Sequence, residues 1–490
     1  MRQENLKAVM SESQNPTRKK RPEKIADEEQ VRPRFRFRFF ENWTFERETL
    51  PSLPLAPSFP QPSEFELELA ALARQAGRNL GGLEADFAWL AVAVYLADRL
   101  SPRLPYGQNG AEYWRRDITI EIPVRDPNHW LNARIELEEA LSFLTEDDWS
   151  LEFVIRLQLF DAESQRHLEK LASPPLDWAA LFSGGLDSLA GALRWLNKSQ
   201  GKGILVSGQT HNRIALAQRE QVAAMRQFFP RMIEHVGVKY QLRKQKIEGF
   251  EWSQRTRAFA HIALGALAAR MSGCESLFLF ENGFGALNLP CDSAQIGSQN
   301  SRGTHPTFLM LMSALIQKVF DARFKVANPY TFLTKAEMLD ELPLGRFDEL
   351  LQSSFSCDIY PNYNRREEQC GVCGSCLVRR LAFHASGRPD PGNSYTIDVL
   401  DLQKELRERE FTALMKLSLQ SRALSSSWRD STEETWTRLA SQWPDLLRTE
   451  RQFGKQSKFS TCSVRLLEKH VNQWRAFEDS IRPKELAYAA

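Results

Sequence analysis

The sequence is short of several things, and each shortage excludes a class of protein. Its 490 residues hold no apolar run near the roughly 18–20 residues of a membrane span. The longest runs, Ala88–Ala97 and Ala258–Ala269, read as core helices. No apolar stretch occurs in the first 30 residues, so a secretory signal is not expected. Charge of one sign is not in excess: 64 Lys+Arg face 62 Asp+Glu, a formal +2. That balance argues against a global phosphate-backbone binder and leaves room for a local basic patch. Cysteine is sparse, seven in all, yet four crowd between Cys357 and Cys376. Without an export signal, such a cluster points to metal rather than disulfides. The expectation is a cytoplasmic, multidomain protein with no membrane partner and nucleic acid not directly indicated.

At roughly 100–200 residues per domain, the length accommodates two to four domains. Residues 1–30 are polar, with a basic knot at Arg18–Arg21, and read as a disordered tail. Arg32–Phe40 (RPRFRFRFF) alternates as a strand with one apolar face does, although interleaved Arg and Phe could also stack on nucleobases. Pro51–Pro62 reads as a loop, and Glu64–Leu100 carries helical periodicity. Asp117–Val124 and Trp149–Leu159 alternate as strands, with a helical Leu131–Leu144 between them. Residues 31–170 are therefore expected to form an N-terminal α+β domain. It shows no catalytic constellation, and the lone His129 reads as structural.

From Asp177 the pattern changes. Apolar segments Trp178–Phe182, Gly203–Ser207 and Ser276–Phe280 alternate with helical Leu189–Leu196, Ala215–Phe229 and Ala258–Ala269. Over residues 177–392 this predicts an α/β fold with a doubly wound parallel sheet. Residues 393–490 turn polar and helical, clearest at Leu402–Leu419 and Glu433–Trp443, and form a C-terminal helical region.

Ser183-Gly184-Gly185-Leu186-Asp187-Ser188 follows a strand and opens a helix. Two glycines let backbone approach a phosphate, and the helix start offers free N–H donors. Asp187 beside an anion makes sense if it holds Mg²⁺ or a helix-end N–H. The loop is neither a Walker loop nor a GxGxxG fingerprint. Further on, twelve residues separate Cys357 from Cys370-Gly371-Val372-Cys373-Gly374-Ser375-Cys376. Four thiolates at this spacing can wrap one tetrahedral Zn²⁺ in a closed, structural site, and an iron–sulfur cluster would use the same four. Cys274, Cys291 and Cys462 read as small apolar side chains.

The SGGLDS loop resembles the pyrophosphate-binding loop of the ATP pyrophosphatase (PP-loop) superfamily. Together with CGVCGSC it resembles the 7-cyano-7-deazaguanine synthase (QueC) family over about residues 177–390, less than half the chain. Arg255 and Arg257 in SQRTRAF, Asn328-Pro329-Tyr330 before Thr334-Lys335-Ala336-Glu337, and Phe355-Ser356-Cys357 agree with that resemblance. It implies an adenine-nucleotide α-hydrolase-like fold with a zinc knuckle. It implies a ligase that adenylates 7-carboxy-7-deazaguanine with ATP and Mg²⁺, then forms a C–N bond. Ser183, Gly184, Gly185, Leu186, Asp187 and Ser188 would hold pyrophosphate and metal, with Gly208 passing the adenosine. Lys335 and Arg255 or Arg257 would offset charge on the phosphates, and Cys357, Cys370, Cys373 and Cys376 would hold zinc. For Lys335, a solvated helix-start residue is the competing reading. The flanking regions and the long Cys357–Cys370 gap depart from the compact synthases. They are similar instead to QueC-like proteins of anti-phage islands, such as the QatC component of Qat systems. That likeness implies a protein partner from the same operon as acceptor, with Glu281, Asn282, Arg302 and His305 as candidates for a base or acceptor pocket. Other superfamily chemistry, lysidine formation or thiolation on tRNA, and a nucleotide-sensing scaffold without turnover are the alternatives.

Overall fold

The structure, a computed structural model, describes residues 33–50, 58–103, 115–164, 175–198, 201–243, 250–251, 253–290, 302–358, 368–390, 395–400, 408–454 and 458–481. The expected tail at 1–30 and Cys291 lie outside them. Among the described residues ten strands form one sheet: β1 (Arg34–Phe40), β2 (Thr44–Leu50), β3 (Phe59–Leu67), β4 (Asp117–Val124), β5 (Asp148–Ile155), β6 (Trp178–Leu181), β7 (Gly203–Gln209), β8 (Ile233–Leu242), β9 (Ser276–Phe278) and β10 (Lys325–Ala327). Their order is β10-β9-β6-β7-β8-β3-β2-β1-β4-β5. The ladders from β10 to β8 are parallel, as are β1–β4 and β4–β5. Only β8–β3, β3–β2 and β2–β1 run antiparallel, so the sheet is mostly parallel. It passes without a break from the expected N-terminal region into the later α/β region, through the β3–β8 pairing.

The Arg/Phe alternation produces a one-sided strand. Phe35, Phe37 and Phe39 are buried against the helix Gly82–Arg99, with Phe39 edge-on to Trp89 at 6.2 Å. Arg36 and Arg38 stand on the opposite face, where Arg36 meets Glu121 at 3.3 Å and Arg38 meets it at 3.1 Å. Phe35, Phe37 and Phe39 thus lie in the core, and of the rings of β1 only Phe40 is half-exposed.

Helical periodicity misreads the start of Glu64–Leu100. Glu64 to Leu67 belong to β3, because FELEL also alternates with period two. Phe65 and Leu67 are buried, while Glu66 pairs across to Lys239 of β8 at 3.3 Å and Glu64 to Arg243, just past its end, at 3.0 Å. The end of the expected Pro51–Pro62 loop is strand as well. Its prolines fall where the β2–β3 register slips, a place where a missing N–H costs little.

Strands β6 and β7 bury both faces. Ala179, Ile204 and Val206 face one core with helices Arg257–Met271 and Pro306–Phe320. Trp178, Ala180 and Leu205 face a second core with helices Leu186–Lys198 and Asn212–Phe228. This is the doubly wound arrangement, and it explains the continuous apolar runs of these strands. The C-terminal region is helical, with Glu408–Ser426, Thr432–Gln442, Asp445–Phe453 and Phe459–Ile481 around a third core that includes Phe284 and Leu287. Among the described residues, no helix is long and apolar enough to cross a membrane. His129 is structural, with Nε2 at 2.7 Å from the Val319 carbonyl.

Candidate active site

A cleft of about 1360 Å³ opens at the carboxyl ends of β6, β7 and β9, where open parallel sheets place their ligand sites. Its floor is the Ser183–Ser188 loop. Gly184 takes φ +84°, a conformation that a side chain would strain, and a Cβ there would also press on Gln221 Oε1 at 3.1 Å. The hydroxyls of Ser183 and Ser188 lie 3.0 Å apart, and Ser183 Oγ accepts from the Gly185 amide at 3.2 Å. The helix Leu186–Lys198 starts here, so its positive end faces the cleft.

Asp187, in the first turn, gathers three elements. Its Oδ2 pairs with Lys335 Nζ, and its Oδ1 accepts from Asn282 Nδ2 at 3.1 Å. Asn282 also donates to Glu281 Oε1 at 2.7 Å, and its Oδ1 caps the helix Gly283–Leu287 through the Gly285 amide at 2.9 Å. Burial, with Asp187 close by, raises the Glu281 carboxyl from an ordinary 4.5 to about 8. Lys335 is 9% exposed, so it is not a solvated helix-start residue. Burial works against its charge, but Asp187 and Glu281 outweigh that and raise its pKa.

Lys335 is aimed by local sequence. Thr334 and Glu337 form a capping box that starts the helix at Lys335, with the Thr334 amide on Glu337 Oε2 at 2.9 Å and the Glu337 amide on Thr334 Oγ1 at 3.2 Å. The same Glu337 carboxylate binds Arg465 and, at 3.1 Å, Lys469 of the helix Phe459–Ile481. Asn328 joins the ends of β9 and β10 by donating to the Glu281 carbonyl at 2.8 Å.

Cys357, Cys370, Cys373 and Cys376 bring their sulfurs within 4.8 Å of one another. Cys370 and Cys376 are 3.9 Å apart, close to the about 3.8 Å that separates tetrahedral thiolates on one zinc ion. The amides of Cys373 and Cys376 point at Cys370 Sγ (3.3 Å) and Cys373 Sγ (3.4 Å), as a thiolate knuckle needs. Gly371 takes φ +82°, and any Cβ would strike the Ile397 carbonyl at 2.0 Å. This donor set could hold zinc. Cys274 is a buried thiol, pushed up to about 11 by burial.

The other expected residues divide. Gly208 lines the cleft and packs so tightly on His261 that a Cβ would meet the ring at 2.2 Å. Arg255 and Arg257 line it too. Arg255 is 4% exposed, donates to the Thr145 carbonyl at 3.2 Å, and is pushed down to about 10 by burial. Glu281 and Asn282 sit at the loop, as described. Arg302 and His305 do not line the cleft. Arg302 spans Glu146 and Asp445, each at 2.7 Å, and tethers the C-terminal helices. His305 caps the helix Pro306–Phe320, accepting from the Thr307 amide at 3.2 Å. Sequence reasoning missed Gln218 and Gln221, which brace the loop from behind. Glutamines three apart within a helix give no signal that they face inward.

A mostly parallel α/β sheet, a glycine loop at a helix start and a four-cysteine cluster meet on one cleft. Part of the chain is similar to curated 7-cyano-7-deazaguanine synthases. Identity is 32% over 88 residues with the Paracoccus denitrificans protein, covering 18% of this chain and 35% of that one. It is 32% over 71 residues with the Aliarcobacter butzleri protein, covering 14% and 28%. It is 30% over 88 residues with the Brucella ovis protein, covering 18% and 35%. The chain thus spans about a third of the length of these relatives. No family model matches, and no solved structure does.

Proposed function

We propose that this protein is an ATP pyrophosphatase-type ligase that adenylates the carboxylate of a 7-deazaguanine, releases pyrophosphate and passes the acyl group to nitrogen. The observation that carries the reading is the meeting of the glycine loop with Asp187, Lys335 and Asn282. Loop amides and the helix end favour the pyrophosphate, and Lys335 offsets charge as the α–β phosphate bond breaks. Mg²⁺, when bound, would screen the phosphates, and Asp187 is the carboxylate suited to hold it. Zinc on the four cysteines would brace the loop rather than react, since all four positions are filled by protein. The partial likeness to 7-cyano-7-deazaguanine synthases supports 7-carboxy-7-deazaguanine as the acid.

The acceptor is either ammonia, leading to 7-cyano-7-deazaguanine, or an amine of a partner protein from an anti-phage operon. An acyl adenylate accepts any nitrogen that the flanking regions bring to it. Pyrophosphate release, measured with and without 7-carboxy-7-deazaguanine, tests the reading. Release that depends on the acid and is lost in Asp187→Ala is expected. No release under any condition would leave a nucleotide-sensing scaffold. Intact mass spectrometry of co-expressed neighbours, looking for a deazaguanine adduct absent with Ser183→Ala, separates the two acceptors.

A further inference from the structure

The backs of the loop peptides are tied to side chains outside the loop. Gln221, 3% exposed, donates from Nε2 to the Gly184 carbonyl at 3.0 Å and to the Ser353 carbonyl at 3.2 Å. Gln218, 1% exposed and one turn earlier on the helix Asn212–Phe228, donates to the carbonyls of Phe182 at 3.4 Å and Ser183 at 3.2 Å. In a trans peptide the C=O of one residue and the N–H of the next point in opposite directions. Fixing the carbonyls of Phe182, Ser183 and Gly184 therefore fixes the opposed amides of Ser183, Gly184 and Gly185, the last of which donates to Ser183 Oγ in the free loop.

The cysteine knuckle joins the same arrangement. The Phe355 amide donates to the Gly184 carbonyl at 3.2 Å, and Ser356 Oγ accepts from the Leu186 amide at 3.4 Å. Ser356 directly precedes Cys357. Gln369, which precedes Cys370, accepts from the Ser356 amide at 2.8 Å and donates to the Ser354 carbonyl at 3.3 Å.

We infer that Gln218 and Gln221 are positioning residues that aim the loop amides at a phosphate, and that Ser356 couples this aim to the cysteine knuckle. The inference deepens the nucleotide reading of the same loop and rests on it. Gln221 does not line the cleft, and Gln218, which does, spends its amide N–H groups on the loop carbonyls. Their effect falls on ATP binding and on loop rigidity, and metal loading at the cysteines should change both.

The test uses the full chain. ATP affinity is measured by calorimetry, loop order by hydrogen exchange of the peptide spanning Ser183–Leu186, and integrity by zinc content and melting temperature. Gln221→Met, which keeps the volume and removes the donors, should weaken ATP binding about tenfold and speed loop exchange, with zinc content unchanged. Gln221→Glu should weaken it further as pH rises, because an ionised carboxylate then faces two carbonyl oxygens, and recover as the acid is protonated. Should either variant fold poorly, Gln218→Met and Ser356→Ala carry the same expectation. Chelating the zinc should also speed loop exchange. ATP affinity and loop exchange within twofold of wild type in every correctly folded variant would overturn the inference. A wild type that binds no ATP, with faster loop exchange in Gln221→Met, would sink the nucleotide reading and uphold the bracing.

Discussion

Strands β1, β2, β4 and β5 bury one face and turn the other to water, whereas β6 and β7 bury both. The first group presents an Arg–Glu lattice to solvent, with Arg36 at 2.5 Å from Glu152. The second is enclosed by helices on either side, and helix starts are brought to the carboxyl ends of parallel strands. That is where N–H donors converge with a side chain from each neighbouring crossover. A one-sided sheet has no such rim, which is why the glycine loop, Asp187, Lys335 and the four cysteines collect in one half although both halves share a continuous ladder. The N-terminal half instead holds a closed ionic network. Arg116, fully buried, meets Asp98 and Asp147, each at 2.6 Å, and Arg103 meets Asp147 at 2.7 Å. Despite burial, those two arginines hold the Asp147 carboxyl down to about 2.

The contrast can be broken in five ways. Cys376→Ser should have the largest effect: if the four cysteines hold zinc as proposed, zinc content falls to background, and the half that carries the glycine loop loses on the order of 5 kcal/mol. Hydrogen exchange should show the peptides around the four cysteines and Ser183–Leu186 losing protection while peptides of the shared core around Trp89 and Trp130 keep theirs. Equal loss in both would show that the knuckle supports the whole sheet. Arg116→Met should cost about 3–5 kcal/mol, because two buried carboxylates lose their partner. One core runs from Phe35 to Val326, so this variant should melt both halves in a single transition, followed by circular dichroism.

Lys335→Met should lower the rate of pyrophosphate release about 100-fold and also lower the melting temperature, because the mostly buried Asp187 carboxylate loses its partner. Retained rate would remove Lys335 from the chemistry. Glu281→Gln should gain stability over wild type as pH rises. The wild-type carboxyl stays protonated when folded until about pH 8, while the unfolded chain ionises near pH 4.5, so folding loses stability across that window. Melting curves at its two ends give the sign. Arg38→Ala should cost least, under about 1 kcal/mol, since the side chain is exposed and its pairs with Glu46 and Glu121 are screened. A large loss there would show that the open face is not merely solvated.

These physical differences also decided what could be read from the chain. The α/β class, the loop at Ser183–Ser188 and the four cysteines are local patterns, and each occupies a short window. β8 has mixed spacing, and β10, Lys325–Ala327, lacks the apolar run SLFLF that marks the equally short β9, so neither stood out. Glu64–Leu67 fitted two periods at once, and only the partners on β8 settled it. Arg302 and His305 looked like pocket residues because charge and imidazole in a loop resemble a site. The structure uses them as a tether and a cap. The partners of Asp187 lie 95 and 148 residues away, and no local window joins them.

Those separations bear on the order in which the molecule is made. Glu337 is fixed by Arg465 and Lys469, which leave the ribosome well after the loop, the knuckle and Lys335 itself. A nascent chain that has already paired its strands still lacks the clamp that steadies the lysine. Nucleotide affinity should therefore mature late in synthesis, and a chain arrested before the helix Phe459–Ile481 should carry an assembled sheet with a loosely held site.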